Sequence, residues 1–116
     1  MHEYALTKQI VQIVNSAAQA HHAERVITVF LVIGENSSII PDSVQLYYDM
    51  ISSGTPAEGA LLDVRTVKAE MHCPCCNQNF QRPRFSFACP RCGTLGSPTK
   101  IGSECYVERV ELETKT

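Results

Sequence analysis

Val26-Ile-Thr-Val-Phe-Leu-Val-Ile33 decides how the rest of the chain must be arranged. The run is rich in β-branched and aromatic residues, and both alternating sets are apolar: Val26, Thr28, Phe30 and Val32 on one side, Ile27, Val29, Leu31 and Ile33 on the other. A strand with no wet side is covered on both faces and central in its sheet. Upstream, Leu6, Ile10, Ile13, Val14 and Ala17 recur at helical spacing opposite Lys8, Gln12, Asn15 and Gln19, which predicts an amphipathic helix from about Glu3 to Ala20. Downstream, 34–40 reads as a loop. Pro41 and Asp42 then open a second helix carrying Val44, Tyr47, Tyr48 and Ile51, which ends at Gly54.

Two further strands follow. In 60–69, Ala60, Leu62, Val64 and Thr66 alternate with Asp63 and Arg65, giving one wet face; in 104–113, Tyr106, Val110 and Leu112 share a side. The order predicts an α/β fold with two helices packed on a three-stranded mixed sheet. The strand-helix-strand unit favours a parallel pair, while no local signal sets the direction of the last strand. The second face of the doubly apolar strand needs a cover: the inserted module, the chain ends or another subunit.

Composition changes abruptly near residue 71 and returns near 104. Between Met71 and Ser103 lie four basic residues (Arg82, Arg84, Arg91, Lys100), no Asp or Glu, five of the six Cys and four of the six Pro. The chain therefore divides into 1–70, an inserted module at 71–103, and a final strand at 104–116 that completes the first domain. With 116 residues it has material for one domain and a small module beside it. Its longest apolar run, Val29–Ile33, falls far short of the roughly 20 residues a bilayer span needs, and Met1-His-Glu lacks the basic start and apolar centre of a signal peptide. These features predict a cytoplasmic protein without a membrane partner. A net charge of −2 argues against bulk attraction to nucleic acid.

Cys73-Pro-Cys-Cys76 and Cys89-Pro-Arg-Cys92 are two Cys-x-x-Cys pairs twelve residues apart. Four thiolates satisfy Zn(II) tetrahedrally, and each two-residue spacer lets one turn present both sulfurs on the same side, so the spacing predicts a four-cysteine zinc ribbon. Iron also accepts four thiolates. Disulfides do not suit a reducing cytosol, and a redox dithiol needs one pair at a helix start, not two pairs facing each other. Four protein ligands leave no open position for water, so the module is a scaffold or recognition surface and no catalytic residue is assigned. Cys75 is left as a spare thiol, Cys105 as a small packed side chain at a strand start, and His72 as a surface residue beside the knuckle. Phe80, Arg82, Arg84, Phe85, Phe87 and Arg91 interleave rings with positive charge, as nucleic-acid ribbons do. Cover for the metal and offset of the zinc-thiolate charge explain them more simply, and a nucleic-acid-binding or protein-interaction module through Arg82, Arg84, Phe85 and Phe87 is the alternative reading. His21-His22 reads as a helix-end cap or solvated pair, and Glu108, Glu111 and Glu113 as a solvated face.

Met1-His2-Glu3 carries its own coordination chemistry. The α-amine, the His2 backbone nitrogen and the His2 ring nitrogen can form fused chelate rings about one ion, with the Glu3 amide or carboxylate near the remaining position. Nitrogen ligands in one plane suit nickel(II) or copper(II), and a helix starting there leaves its first amides without intrahelical acceptors.

Met-His-Glu, the helix after it, Val-Ile-Gly-Glu at 32–35, Gly-Thr-Pro-Ala-Glu-Gly at 54–59 and the two cysteine pairs together resemble the hydrogenase nickel-incorporation proteins of the HypA/HybF family, over essentially all 116 residues. The resemblance implies a nickel metallochaperone, not an enzyme. Nickel would bind at Met1, His2 and Glu3, and structural zinc at Cys73, Cys76, Cys89 and Cys92. Delivery would go to the [NiFe] hydrogenase large subunit with a maturation GTPase, and to urease accessory proteins in some members. A monomer or weak homodimer is expected, although no feature of the sequence sets the oligomeric state. Cys75 and Cys105 depart from the family's plain four-cysteine pattern.

Overall fold

A computed structural model describes residues 2–83 and 85–114, with His2 described by its backbone alone. Helix α1 spans His2–Ala20, strand β1 Ala23–Gly34, helix α2 Pro41–Ile51 and strand β2 Leu61–Val67. Three short strands follow, β3 Glu70–Cys73, β4 Gln78–Gln81 and β5 Ser97–Pro98, and β6 spans Cys105–Thr114. Two sheets result, ordered β2-β1-β6 and β4-β3-β5.

The apolar run is central, as its composition requires. β1 pairs parallel with β2 from Thr28↔Leu61 to Gly34↔Val67, and antiparallel with β6 from Ala23↔Thr114 to Ile33↔Cys105. The crossover through α2 explains the parallel pair, since parallel neighbours cannot be joined by a tight turn. Ile10, Val11, Val14 and Ala18 of α1, Val44 and Tyr48 of α2, and Val26, Val29 and Leu31 of β1 form one buried core. Tyr48 is fully buried and donates its hydroxyl to the Ala57 carbonyl at 2.6 Å. Burial pushes its phenol up to about 12, so the donor role is fixed over the physiological range.

Strict alternation fails in two strands, and register shifts are the reason. Val26 pairs with Leu112 and Thr28 with Glu111, so Ile27 is an extra residue in β1. This bulge puts Val26 in the same core as Val29 and Leu31. Phe30 pairs with Arg109 and Leu31 with Val107, which makes Glu108 an extra residue in β6. Val107 therefore joins Val110 and Leu112 against the core, while Tyr106, expected beside them, is half exposed. In β2, Leu62 and Val64 pack inward as read, whereas Thr66 is exposed.

The second face of the sheet is covered by its own long side chains. The Arg109 guanidinium lies 3.6 Å from the Phe30 ring centroid, Arg65 pairs with Glu108 at 3.1 Å, and Thr28 donates to Glu111 at 3.2 Å. Arginine stems shield apolar surface while their heads stay wet, which suits a face left to solvent.

The smaller sheet has a separate buried cluster of Met71, Cys73, Phe80 and Cys89. Both connections between the sheets meet the end of β1. Gly34 N–H donates to the Glu104 carbonyl, Glu35 N–H to Val67 and Asn36 N–H to Gly102, at 2.7–2.8 Å, and the Glu35 carboxylate accepts from Ala69 N–H at 3.0 Å. Gly34 is required there, because a Cβ would lie 2.1 Å from the Gly102 carbonyl oxygen. The molecule is elongated, 58 × 29 × 16 Å. No helix among the described residues is long and apolar enough to cross a membrane.

Candidate metal centre

Each cysteine pair sits in a turn. Cys73 ends β3 and Cys76 lies just before β4, so the first pair occupies the turn of an antiparallel hairpin in which Cys73 is opposite Gln78. The second pair occupies the turn closed by the Ala88↔Leu95 bridge and by Cys89 N–H donating to the Thr94 carbonyl at 2.8 Å. Both turns close identically. Asn77 N–H donates to the Cys73 carbonyl, and Gly93 N–H to the Cys89 carbonyl, each at 2.8 Å. The donors stand in the left-handed region, with φ of 53° and 79°. Gly and Asn adopt that conformation most readily. Asn after the first pair and Gly after the second are thus part of the knuckle, a signal the cysteine spacing does not contain.

The two turns face each other. Sγ of Cys73, Cys76, Cys89 and Cys92 all lie within 4.8 Å of one another, and Cys73 and Cys92 approach to 3.4 Å. Four sulfurs around a zinc ion at the usual 2.3 Å would stand about 3.8 Å apart. The cluster therefore has the size of a tetrathiolate cage. Cys73 and Cys89 are buried, Cys92 is exposed and Cys76 is between. Cys75 is exposed and outside the quartet; Cys105 is partly buried at the start of β6, where burial raises its thiol pKa.

Backbone and hydroxyl groups favour negative sulfur. The Cys76 amide donates to Cys73 Sγ at 3.3 Å. Thr94, through its hydroxyl 3.3 Å away and its amide, draws Cys92 down to about 6, helped by Cys73 and Cys76. Desolvation pushes Cys89 up, but the amides of Arg91 and Cys92 outweigh it and hold the thiol below its ordinary value. Cys76 is pushed up to about 12, chiefly by its hydrogen bond to Cys92 and then by desolvation. Without a cation, one sulfur keeps the proton that its neighbour has lost. A divalent ion removes that conflict, so the donor set fits a metal better than it fits four thiols.

The surrounding residues divide. Phe80 is buried against the cluster, and His72 Nδ1 is 2.9 Å from Asn79 Oδ1 across β3 and β4. Arg82 stacks on Phe87 at 4.7 Å from the ring centroid, and Arg91 reaches the Asn79 carbonyl at 3.5 Å. Phe85 and Phe87 are exposed, and Arg84 lies outside the described residues. A cleft of about 530 Å³ opens between the sheets, lined in part by Glu35, Glu70, Arg82 and Phe87.

At the start of the chain, side chains are described from Glu3 onward. Met1 and the His2 side chain lie outside the described residues. The Glu3 carboxylate accepts from Ile40 N–H at 3.0 Å, just ahead of α2, and the Glu3 carbonyl accepts from the Thr7 hydroxyl. The first turn of α1 is thereby tied to the start of α2. His21 and His22 lie in the exposed turn after α1, with His22 at a φ of 52°.

A family model described as hydrogenase/urease nickel incorporation metallochaperone, HypA, matches residues 1–112. The chain belongs to the HypA family. Hydrogenase maturation factor HypA of Caldanaerobacter subterraneus subsp. tengcongensis is 38% identical over 114 residues, covering 97% of this chain and all of that protein. The HypA of Geobacter sp. strain M21 is 37% identical over the same length and coverage. A solution structure of a HypA protein superposes with a TM-score of 0.73 over 99% of this chain and 98% of the other, at 21% identity. The solution structure of the Ni metallochaperone HypA from Helicobacter pylori superposes with a TM-score of 0.65 over 97% and 98%, at 20% identity. The HypA fold is thus common to all three, and this HypA-family chain is a nickel metallochaperone of hydrogenase maturation.

Proposed function

We propose that this HypA-family protein carries Ni(II) at Met1, His2 and Glu3 and holds a structural Zn(II) ion at Cys73, Cys76, Cys89 and Cys92. Residues 1–70 and 104–116 form the nickel-carrying part and 71–103 the zinc ribbon. When bound, zinc supplies cross-linking of the two knuckles; the four thiolates fill its shell, so the protein acts as a carrier and not an enzyme. Nickel is cargo, passed by ligand exchange in the cytoplasm to the [NiFe] hydrogenase large subunit with a maturation GTPase, and to urease accessory proteins as a second outlet.

The tie between the Glu3 carboxylate and Ile40 N–H carries the nickel reading. That carboxylate is engaged as a strut, whereas the Glu3 amide, in the first turn of α1, has no intrahelical acceptor. The amide, beside the His2 nitrogens and the α-amine, completes a planar nitrogen set of the kind Ni(II) prefers. Calorimetric titration of nickel into untagged protein, a Gly-extended form and His2→Ala tests this. Both changes are expected to abolish binding and leave zinc content intact; equal affinities would overturn the assignment.

A further inference from the structure

The sheet's outer face hides Phe30 beneath Arg109, but α2 does nothing comparable. Ile40, just ahead of it, and Leu46 and Met50 on it are 58%, 60% and 61% exposed. Val44 and Tyr48 are the buried residues of α2, so helical spacing puts Asp42, Leu46, Asp49 and Met50 together on the opposite face. The ridge continues toward α1: Tyr47 stands edge-on to Tyr4 with centroids 5.4 Å apart, and Tyr4 is half exposed. Exposed apolar side chains gathered on one element mark an interaction site more often than scattered surface residues do.

Charge identifies the occupant. α2 contains Asp42 and Asp49 and no Lys, Arg or His, so the negative end of its dipole is also uncompensated. A second copy meeting this ridge about a two-fold axis would set these carboxylates against their own counterparts. A helix with one leucine stripe and flanking Lys or Arg satisfies both the apolar ridge and its acidic rim.

We propose that the outer face of α2, with Ile40 and Tyr4, docks a basic amphipathic helix of a partner protein. Placing that helix beside Glu3 makes it a site for cargo exchange, a role that rests on the nickel reading; the docking does not. The probe is a synthetic helix of about 18 residues with leucines at i, i+3, i+4 and i+7 and lysines elsewhere, against a glutamate counterpart with the same leucines. Added to the zinc-loaded full chain, the basic helix is expected to shift the amide resonances of 40–50 and Tyr4. Leu46→Asn with Met50→Gln is expected to weaken binding about tenfold or more, and raised salt to weaken it further. Docking is overturned by shifts elsewhere, by equal binding of the acidic helix, by insensitivity to the double variant, or by a concentration-dependent dimer that the double variant abolishes. Nickel titration of that variant keeps the two readings apart. Unchanged nickel affinity with lost docking supports the proposal; lost nickel affinity with docking retained would overturn the ridge as a partner site. Docking without nickel binding in any form would overturn the nickel reading alone.

Discussion

Gly34 shows how much one hydrogen atom in place of a methyl group can decide. It stands where the segments entering and leaving the smaller sheet both touch β1, and a methyl there meets the Gly102 carbonyl at 2.1 Å. Backbone on both sides must move, so Gly34→Ala is expected to cost about 3 kcal/mol in urea unfolding, at the upper end of overpacking penalties. A loss under about 0.5 kcal/mol, within the range of neutral surface changes, would contradict the crossing. The sequence reads Gly34 only as the start of a loop, because a contact between residues far apart in the chain leaves no local trace. The clustering of the cysteines is the reverse case: that Cys73, Cys76, Cys89 and Cys92 come together is legible from spacing, because a two-residue turn fixes where both sulfurs point. Asn77 and Gly93, which close those turns, are legible only once the turn is known.

At the scale of elements, the two helices and the three main strands follow from periodicity to within a few residues, since burial of one face imposes it. What periodicity misreads is which residues face inward: in α1, Ile13 is half exposed while Val11, outside the expected stripe, is buried, and in β1 and β6 the register shifts. Bulges at Ile27 and Glu108 exchange faces in mid-strand, and period-two alternation contains no term for an inserted residue. The short strands β3, β4 and β5 are too brief to show a period at all. One edge of this pairing has a pH signature. Arg25 Nε lies 2.9 Å from Glu113 Oε1, and that hydrogen bond and charge hold the Glu113 carboxyl below its ordinary value. A lowered native pKa gives stability that is present above the unfolded value of about 4.3 and fades as pH falls through the native one. The pair is exposed, so the contribution is small. NMR titration is expected to find Glu113 below the usual carboxylate midpoint and Arg25→Gln to return it there.

Across the whole molecule, the decisive fact is two hydrophobic clusters with separate membership. The larger uses both helices and β1; the smaller depends on two cysteines, one methionine and one phenylalanine, far too little apolar surface to stand without a metal. If the quartet holds the proposed zinc ion, its chelation is expected to remove hydrogen-exchange protection from 70–98 while the amides of α1 and β1 keep theirs. Loss of protection throughout would show that the two parts fold as one unit. Zinc readdition should restore the protected pattern, because binding free energy is folding free energy in such small modules. The tying of both connections to the end of β1 has a consequence for a severed chain. Phe85 protrudes from the ribbon, and a chymotrypsin-like protease cutting after it would leave Cys73 and Cys76 on one fragment and Cys89 and Cys92 on the other. The larger sheet would still clasp β6 from the second piece, and the ion would rivet the two halves of the ribbon. The nicked protein should travel through a sizing column as one particle, and chelator should free the ribbon halves while the clasp at β1 keeps the pieces joined.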